Sequence, residues 1–204
     1  MLRKFLQWLK YRKVRAGNSP AVSRACITGD LTKERQEFEK LLGNNNDIKF
    51  RSFTAGGRNF LLLFVDGMVN MELLNKFVIA PIQQAPENAL KGDIKQVSAH
   101  VLGVCDLSFA ETREEAASVV LYGDGILFME GCCVAAAVGC KGFERRGVEQ
   151  PQNETVVRGP KESFTENLRT NTTLLRRKIR SGDLTFEDYK KGRQTGTQIC
   201  LVYM

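Results

Sequence analysis

Six consecutive apolar residues, Phe60 to Val65, lie between the turn signals Gly56-Gly57 and Asp66-Gly67. An unbroken apolar run with such bounds reads as a strand covered on both faces. Two further apolar runs, Ile126 to Met129 and Cys132 to Val138, flank Glu130-Gly131 and read as a tight hairpin. Helical patterns alternate with these runs. Asp30 is placed to cap a helix reaching Leu42, with Gly43 as its stop and Leu31, Phe38, Leu41 and Leu42 as its buried stripe. Ile48 to Phe53 reads as a strand, and Asn70 to Ala80 as a helix stopped by Pro81. The stretch from Ile82 to Asp106 reads as a short helix followed by a strand near Ile94 to Cys105. Ser108 or Thr112 then caps a helix that ends at Gly123. Alternation of this kind over residues 30–140 predicts an α/β fold.

The chain of 204 residues carries 30 Lys+Arg and 23 Asp+Glu, a net charge of +7. With 43% hydrophobic and 26% charged residues it excludes collagen-like, coiled-coil and wholly disordered classes. The charge is uneven. Residues 1–15 hold six basic residues and no acidic ones, the segment 16–140 is mildly acidic, and 141–204 is basic again. Within 2–14, Leu2, Phe5, Leu6 and Leu9 fall at helical spacing beside Trp8, with Arg3, Lys4, Lys10 and Lys13 around them. That is the composition of a membrane-surface helix, with Leu2, Phe5, Trp8 and Leu9 as its lipid-facing residues. A solvated terminal helix is the alternative reading. Gly17 to Pro20 marks a linker, and no secretory leader is visible. The most apolar stretch, Ala116 to Cys140, is broken by Asp124 and Glu130 and by Gly123, Gly125 and Gly131, so it reads as turns between short elements. None of the six cysteines forms a C-x-x-C pair, and a single histidine, His100, excludes a histidine-pair metal site within one chain.

From Gly142 the composition turns arginine-rich. Gly159-Pro160 is placed to open a helix that Gly182 ends, with Phe164, Leu168, Leu175 and Ile179 as an apolar stripe. Arg169, Thr173, Arg176 and Arg180 share another face at three- and four-residue spacing. Arginines so arranged can clamp phosphate or carboxylate groups. The competing reading is a solvated face paired with Glu162 and Glu166. Thr185 to Tyr189 and Thr197 to Tyr203 complete the chain as short extended elements. No P-loop, no G-x-S-x-G elbow and no nucleophile–base pair can be picked out.

The segment Arg145 to Thr172 contains Pro151, Glu154, Arg158-Gly159-Pro160, Glu162, Phe164, Glu166, Leu168 and Thr170-Asn171. Leu174-Leu175-Arg176-Arg177-Lys178-Ile179 follows it, and Gly192-Arg193-Gln194-Thr195 lies downstream. This pattern closely resembles the GerA-type A-subunit family of bacterial spore germinant receptors, over roughly residues 30–203. Ser163 stands where the family usually has glycine. The resemblance implies two small α/β subdomains, here 28–140 and 141–204 after a basic helix and linker at 1–27, the second incomplete at its C-terminal end. The family continues beyond the position of Tyr203 into the rest of a soluble domain and a multi-span membrane domain.

The resemblance also implies a non-enzymatic role in spore germination, through signal transmission and receptor assembly. It implies B and C partner subunits and further A subunits, a nutrient ligand, and the spore inner membrane with this domain facing the cytoplasm. An anionic lipid surface is the expected partner of the basic N-terminal helix, and neither a cofactor, a metal nor nucleic acid is expected. Candidate interaction or ligand-binding residues are Glu154, Arg158, Gly159, Pro160, Arg169, Asn171, Arg176 and Arg177. The basic ends keep a phosphate-directed nucleotide or nucleic-acid binding module open as the alternative.

Overall fold

The computed structural model describes residues 25–43, 45–142 and 164–204. Strand β2 (Arg58–Val65) is the centre of its packing. Leu61, Leu63 and Val65 enter one apolar cluster, while Phe60, Leu62 and Phe64 enter another on the opposite face. The continuous apolar run therefore reflects burial on both sides. At roughly 25 cal/mol per Å2 of apolar surface, burying each such side chain stabilises the fold by about 1.5–3 kcal/mol.

Five strands form the main sheet in the order β1-β2-β4-β5-β3, with β1 (Ile48–Ala55), β3 (Leu107–Ala110), β4 (Gly125–Met129) and β5 (Ala135–Val138). Every pairing is antiparallel. One face is covered by α1 (Leu31–Leu41) and α5 (Arg113–Tyr122), through Phe38, Ala116, Ala117, Val120 and Leu121. The other face is covered by a helix running from Met71 to Gln84 and by α4 (Ile94–Val101), through Leu74, Val78, Ile82, Ile94 and Val97. The helix from Met71 comprises α2 (Met71–Leu74), a π segment (Asn75–Ile79) and α3 (Ala80–Gln84). Helices on both faces of one sheet give the α/β architecture expected from the sequence.

Local chemistry sets the element ends. Asp30 accepts from the backbone N–H groups of Thr32 and Lys33 at the start of α1. Thr112 and Glu115 form a reciprocal capping box at the start of α5, and Gly123 closes that helix with a φ of 102°.

Four expectations need correction. The helix from Met71 passes through Pro81 to Gln84. Pro81 has no N–H for the Phe77 carbonyl, and the π segment places that carbonyl where the Gly103 N–H donates to it at 3.2 Å. The segment from Ile94 is a helix, capped by the Asp93 side chain on the Gln96 N–H, and the strand comes later at Leu107–Ala110, which places Ser108 in β3. The turn between β4 and β5 spans residues 130–134, longer than a tight hairpin. On α1 the buried positions are Phe38 and Glu34, with Leu42 just beyond, while Leu41 is exposed.

In the C-terminal part, α6 (Leu168–Lys178) is followed by β6 (Thr185–Lys191) and β7 (Thr197–Tyr203), an antiparallel pair outside the main sheet. Asn167 caps α6 by accepting from the Arg169 and Thr170 N–H groups. That helix therefore starts at Leu168, and Phe164, placed in its stripe from the sequence, is exposed ahead of it. The two β6–β7 strands present Tyr189, Ile199, Leu201 and Tyr203 as exposed apolar side chains, while Phe186 on the other face is buried.

Candidate functional site

The antiparallel register of β1 and β2 pairs Ile48 with Val65, so Asp47 and Asp66 sit side by side at one end of the pair. Their backbones are joined by an Asp66 N–H to Asp47 C=O bond of 2.7 Å. Two carboxylates thereby meet at the mouth of the sheet. Opposite them runs α6, on which Arg169 and Arg176 are two turns apart, about 10 Å along the axis.

Arg176 closes on Asp47. Its Nε donates to Asp47 Oδ2 at 2.8 Å and its Nη2 to Asp47 Oδ1 at 3.0 Å, a bidentate fork. Its Nη1 donates to the Ser181 carbonyl at 2.9 Å, and its guanidinium lies 4.6 Å from the centre of the Phe186 ring. Arg176 is 1% exposed. A charge so deep is held only because one carboxylate, one carbonyl and one aromatic face replace its water. Arg169 pairs with Asp66 at the surface, its side chain 60% exposed.

Two neighbours fix this clamp. The buried Asn45 accepts the Phe186 N–H at 2.7 Å and donates to the Leu42 carbonyl, tying β6 to the end of α1. Gly67, with φ of 85°, lets α6 approach: a Cβ there would lie 2.4 Å from Thr173 Oγ1. Beside the clamp is a cavity of about 350 Å3 of mixed lining, with Asp47, Asp66, Arg169 and Lys190 beside Leu168 and Phe186, among others. None of the described residues around it forms a nucleophile–base pair, and no group of three or more His, Cys, Asp or Glu residues suited to a metal ion occurs among the described residues.

A second buried pair joins α1 to α5. Glu34 of α1 is fully buried and accepts from Arg113 Nε at 2.7 Å and Arg113 Nη2 at 2.8 Å. The Thr28 N–H and hydroxyl also donate to it, at 2.9 and 2.8 Å. Burial raises the Glu34 carboxyl, but the Arg113 fork and the Thr28 donors outweigh it and hold the group below its ordinary 4.5. Burial is also the largest influence on the Cys140 thiol, which it pushes up to about 12.

Of the residues singled out in the sequence, the structure brings together Arg169 and Arg176. Among the described residues their partners are Asp66 and Asp47 and not Glu166, while Glu162 lies outside the described residues. Asn171 of α6 turns back onto the segment that precedes the helix, accepting the Thr165 N–H at 2.7 Å and donating to the Thr165 carbonyl at 2.7 Å. Arg177 accepts from Arg180 Nε through its backbone carbonyl, and Arg180 stacks 4.5 Å from the Tyr122 ring. Glu154, Arg158, Gly159 and Pro160 lie outside the described residues, as do Leu2, Phe5, Trp8 and Leu9. His100 sits on α4 with Nδ1 2.7 Å from the Gln96 carbonyl. Sequence reasoning missed Asp47, Asp66 and the Glu34–Arg113 pair. The two aspartates looked like turn residues, and only the strand register shows that they face one helix.

The Bacillus/Clostridium GerA spore germination protein family matches residues 36–204. The chain belongs to that family. It is 32% identical over 180 residues to spore germination protein B1 of Bacillus subtilis (strain 168), which covers 87% of this chain and 37% of the relative. It is 26% identical over 181 residues to spore germination protein KA of the same strain, covering 87% of this chain and 33% of the relative. The chain thus spans little more than a third of the length of these curated relatives. Its fold matches the crystal structure of the N-terminal domain of the A subunit of the Bacillus megaterium spore germinant receptor GerK3. The TM-score is 0.69 at 22% identity, covering 89% of this chain and 67% of that one. No described helix is long and apolar enough to cross a membrane.

Proposed function

We propose that this chain is the N-terminal, non-enzymatic part of a germinant-receptor A subunit, and that its arginine clamp carries signal and assembly between two subdomains, 28–140 and 141–204. The observation that supports this most is the buried Arg176 fork on Asp47, which joins α6 to the end of the β1–β2 pair. A buried ion pair across two structural units responds strongly to small displacements, because separating it exposes unpaired charge in a poorly solvated place. The germination role follows from the family to which the chain belongs.

In this reading the B and C subunits and other A subunits are the partners, at the spore inner membrane with this domain facing the cytoplasm. The basic segment 1–15 contacts anionic lipid, and a small polar nutrient is the candidate occupant of the cavity beside the clamp. The phosphate-directed alternative is weakened because Arg169 and Arg176 already engage carboxylates of the chain itself. The test is co-purification of the B and C subunits with the full-length A subunit carrying Arg176→Ala. The proposal expects reduced recovery of the complex at equal A-subunit level. Full recovery would remove the clamp from assembly.

A further inference from the structure

The main sheet ends in edges of unequal kind. Strand β3 at one edge has four residues, a length that blunts pairing. Strand β1 at the other edge has eight, and its register with β2 is continuous from Ile48 to Ala55 with no bulge and no proline. The bond between Asp66 N–H and Asp47 C=O fixes which backbone groups face β2: those of the odd-numbered residues from Asp47 onward. The N–H and C=O groups of Phe50, Ser52 and Thr54 therefore point away from the sheet. Among the described residues, no backbone group pairs with them.

The side chains along this edge are as one-sided as the hydrogen bonds. Lys49 and Arg51 are exposed on one face, where Arg51 Nη1 donates to the Asn75 side chain at 2.9 Å and brings the edge beside the exposed Lys76. On the other face Arg35 lies 5.4 Å from the centre of the half-buried Phe50 ring. Phe53, half-buried, stacks on Phe60 at 5.3 Å. The edge thus offers unmade ladder bonds, partly covered aromatic rings and positive charge.

We propose that β1 is a docking edge for an extended segment of a partner protein, one with acidic residues at alternate positions. Such a strand completes the ladder through Phe50, Ser52 and Thr54, and sets its carboxylates beside Lys49 and Arg51. Its intervening residues cover Phe50. The same cations oppose pairing of β1 with a second copy of itself, since that would set Lys49 and Arg51 of two chains against each other. The charge selects the partner and keeps the free chain from pairing with itself. This inference does not depend on the role proposed for the clamp.

The experiment uses the 204-residue chain and two synthetic peptides, acetyl-Val-Glu-Val-Glu-Val-Glu-Val-amide and its counterpart with lysine at each glutamate. Hydrogen exchange is read at the Phe50, Ser52 and Thr54 amides, and binding by fluorescence polarisation. The glutamate peptide is expected to slow exchange at those three amides and to bind roughly tenfold tighter than the lysine peptide, from cross-strand charge pairs. The double variant Lys49→Glu/Arg51→Glu is expected to reverse that preference. Ser52→Pro removes an outward N–H without touching a β1–β2 bond, so it is expected to abolish binding while the circular dichroism spectrum is retained. Ser52→Ala is expected to bind normally. The proposal is overturned by unchanged exchange at the three amides with the glutamate peptide. It is equally overturned by equal affinity for both peptides, or by a dimer in which those amides are protected without any peptide.

Discussion

Truncating Arg176 to alanine removes two donors from Asp47, one from the Ser181 carbonyl, and a guanidinium from the Phe186 ring. The Asp47 side chain, 13% exposed, is left with little water and without its fork. Breaking a buried pair in this way costs about 3–5 kcal/mol. Domains of ordinary stability have about 5–15 kcal/mol in total, so the loss is a large fraction of it. Urea unfolding followed by circular dichroism should show a midpoint lowered by roughly 2 M. Where α6 and the β6–β7 pair open ahead of the main sheet, hydrogen exchange should rise over 168–203 and stay slow in β2 and β4. Arg176→Lys keeps the charge and loses the fork, with about half the loss expected. The Arg176→Ala/Asp47→Ala double variant should lose less than the sum of the singles, by about 1–3 kcal/mol. Arg169→Ala, at the exposed pair, should cost at most about 1 kcal/mol. A loss below about 1 kcal/mol for Arg176→Ala would refute the reasoning, since it would mean that the pair is solvated.

Glu34 has a carboxyl held below 4.5, so its contribution is complete above that pH and is lost as pH falls through the lower folded value. Acid titration of stability should therefore show a steeper decline below pH 4.5 in the native chain than in Glu34→Gln. That variant should also be weaker by about 3–5 kcal/mol at neutral pH, because Arg113 stays buried without a counter-charge. Gly67→Ala should destabilise by more than Gly57→Ala. Both carry positive φ and lose about 1–2 kcal/mol for the left-handed backbone, but a Cβ at position 67 also meets Thr173 Oγ1, while at 57 it meets nothing within 4 Å. Thiol labelling at neutral pH, read by mass spectrometry, should modify the exposed Cys26, Cys105 and Cys133 and spare the buried Cys140, whose thiol is pushed up to about 12 chiefly by burial.

The fold was most legible where a local pattern is also the tertiary one. Phe60 to Val65 reads as a two-sided strand because both of its faces are buried, and Asp30, Thr112 and Gly123 read as helix ends because capping is local. Legibility failed where distant groups decide. Pro81 looks like a stop until Gly103 takes up the Phe77 carbonyl. Ile94 to Val101 has apolar residues that suit either period, and its packing against Val138 and its neighbours settles the helix. The arginines of α6 were visible as a charged face, yet nothing local distinguishes the buried Arg176 from the exposed Arg169. That difference comes from Phe186 and Ser181, downstream on the chain, and from Asp47, which lies 129 residues away.

The central claim is that the Arg176–Asp47 clamp transmits a germination signal. The most direct measurement is the nutrient-triggered loss of refractility in spores whose full-length A subunit carries Arg176→Ala, compared with spores carrying Arg169→Ala, with receptor levels measured in both. The account predicts a severely impaired response for Arg176→Ala and a near-normal one for Arg169→Ala. A normal response and a normal receptor level in the Arg176→Ala spores would contradict it.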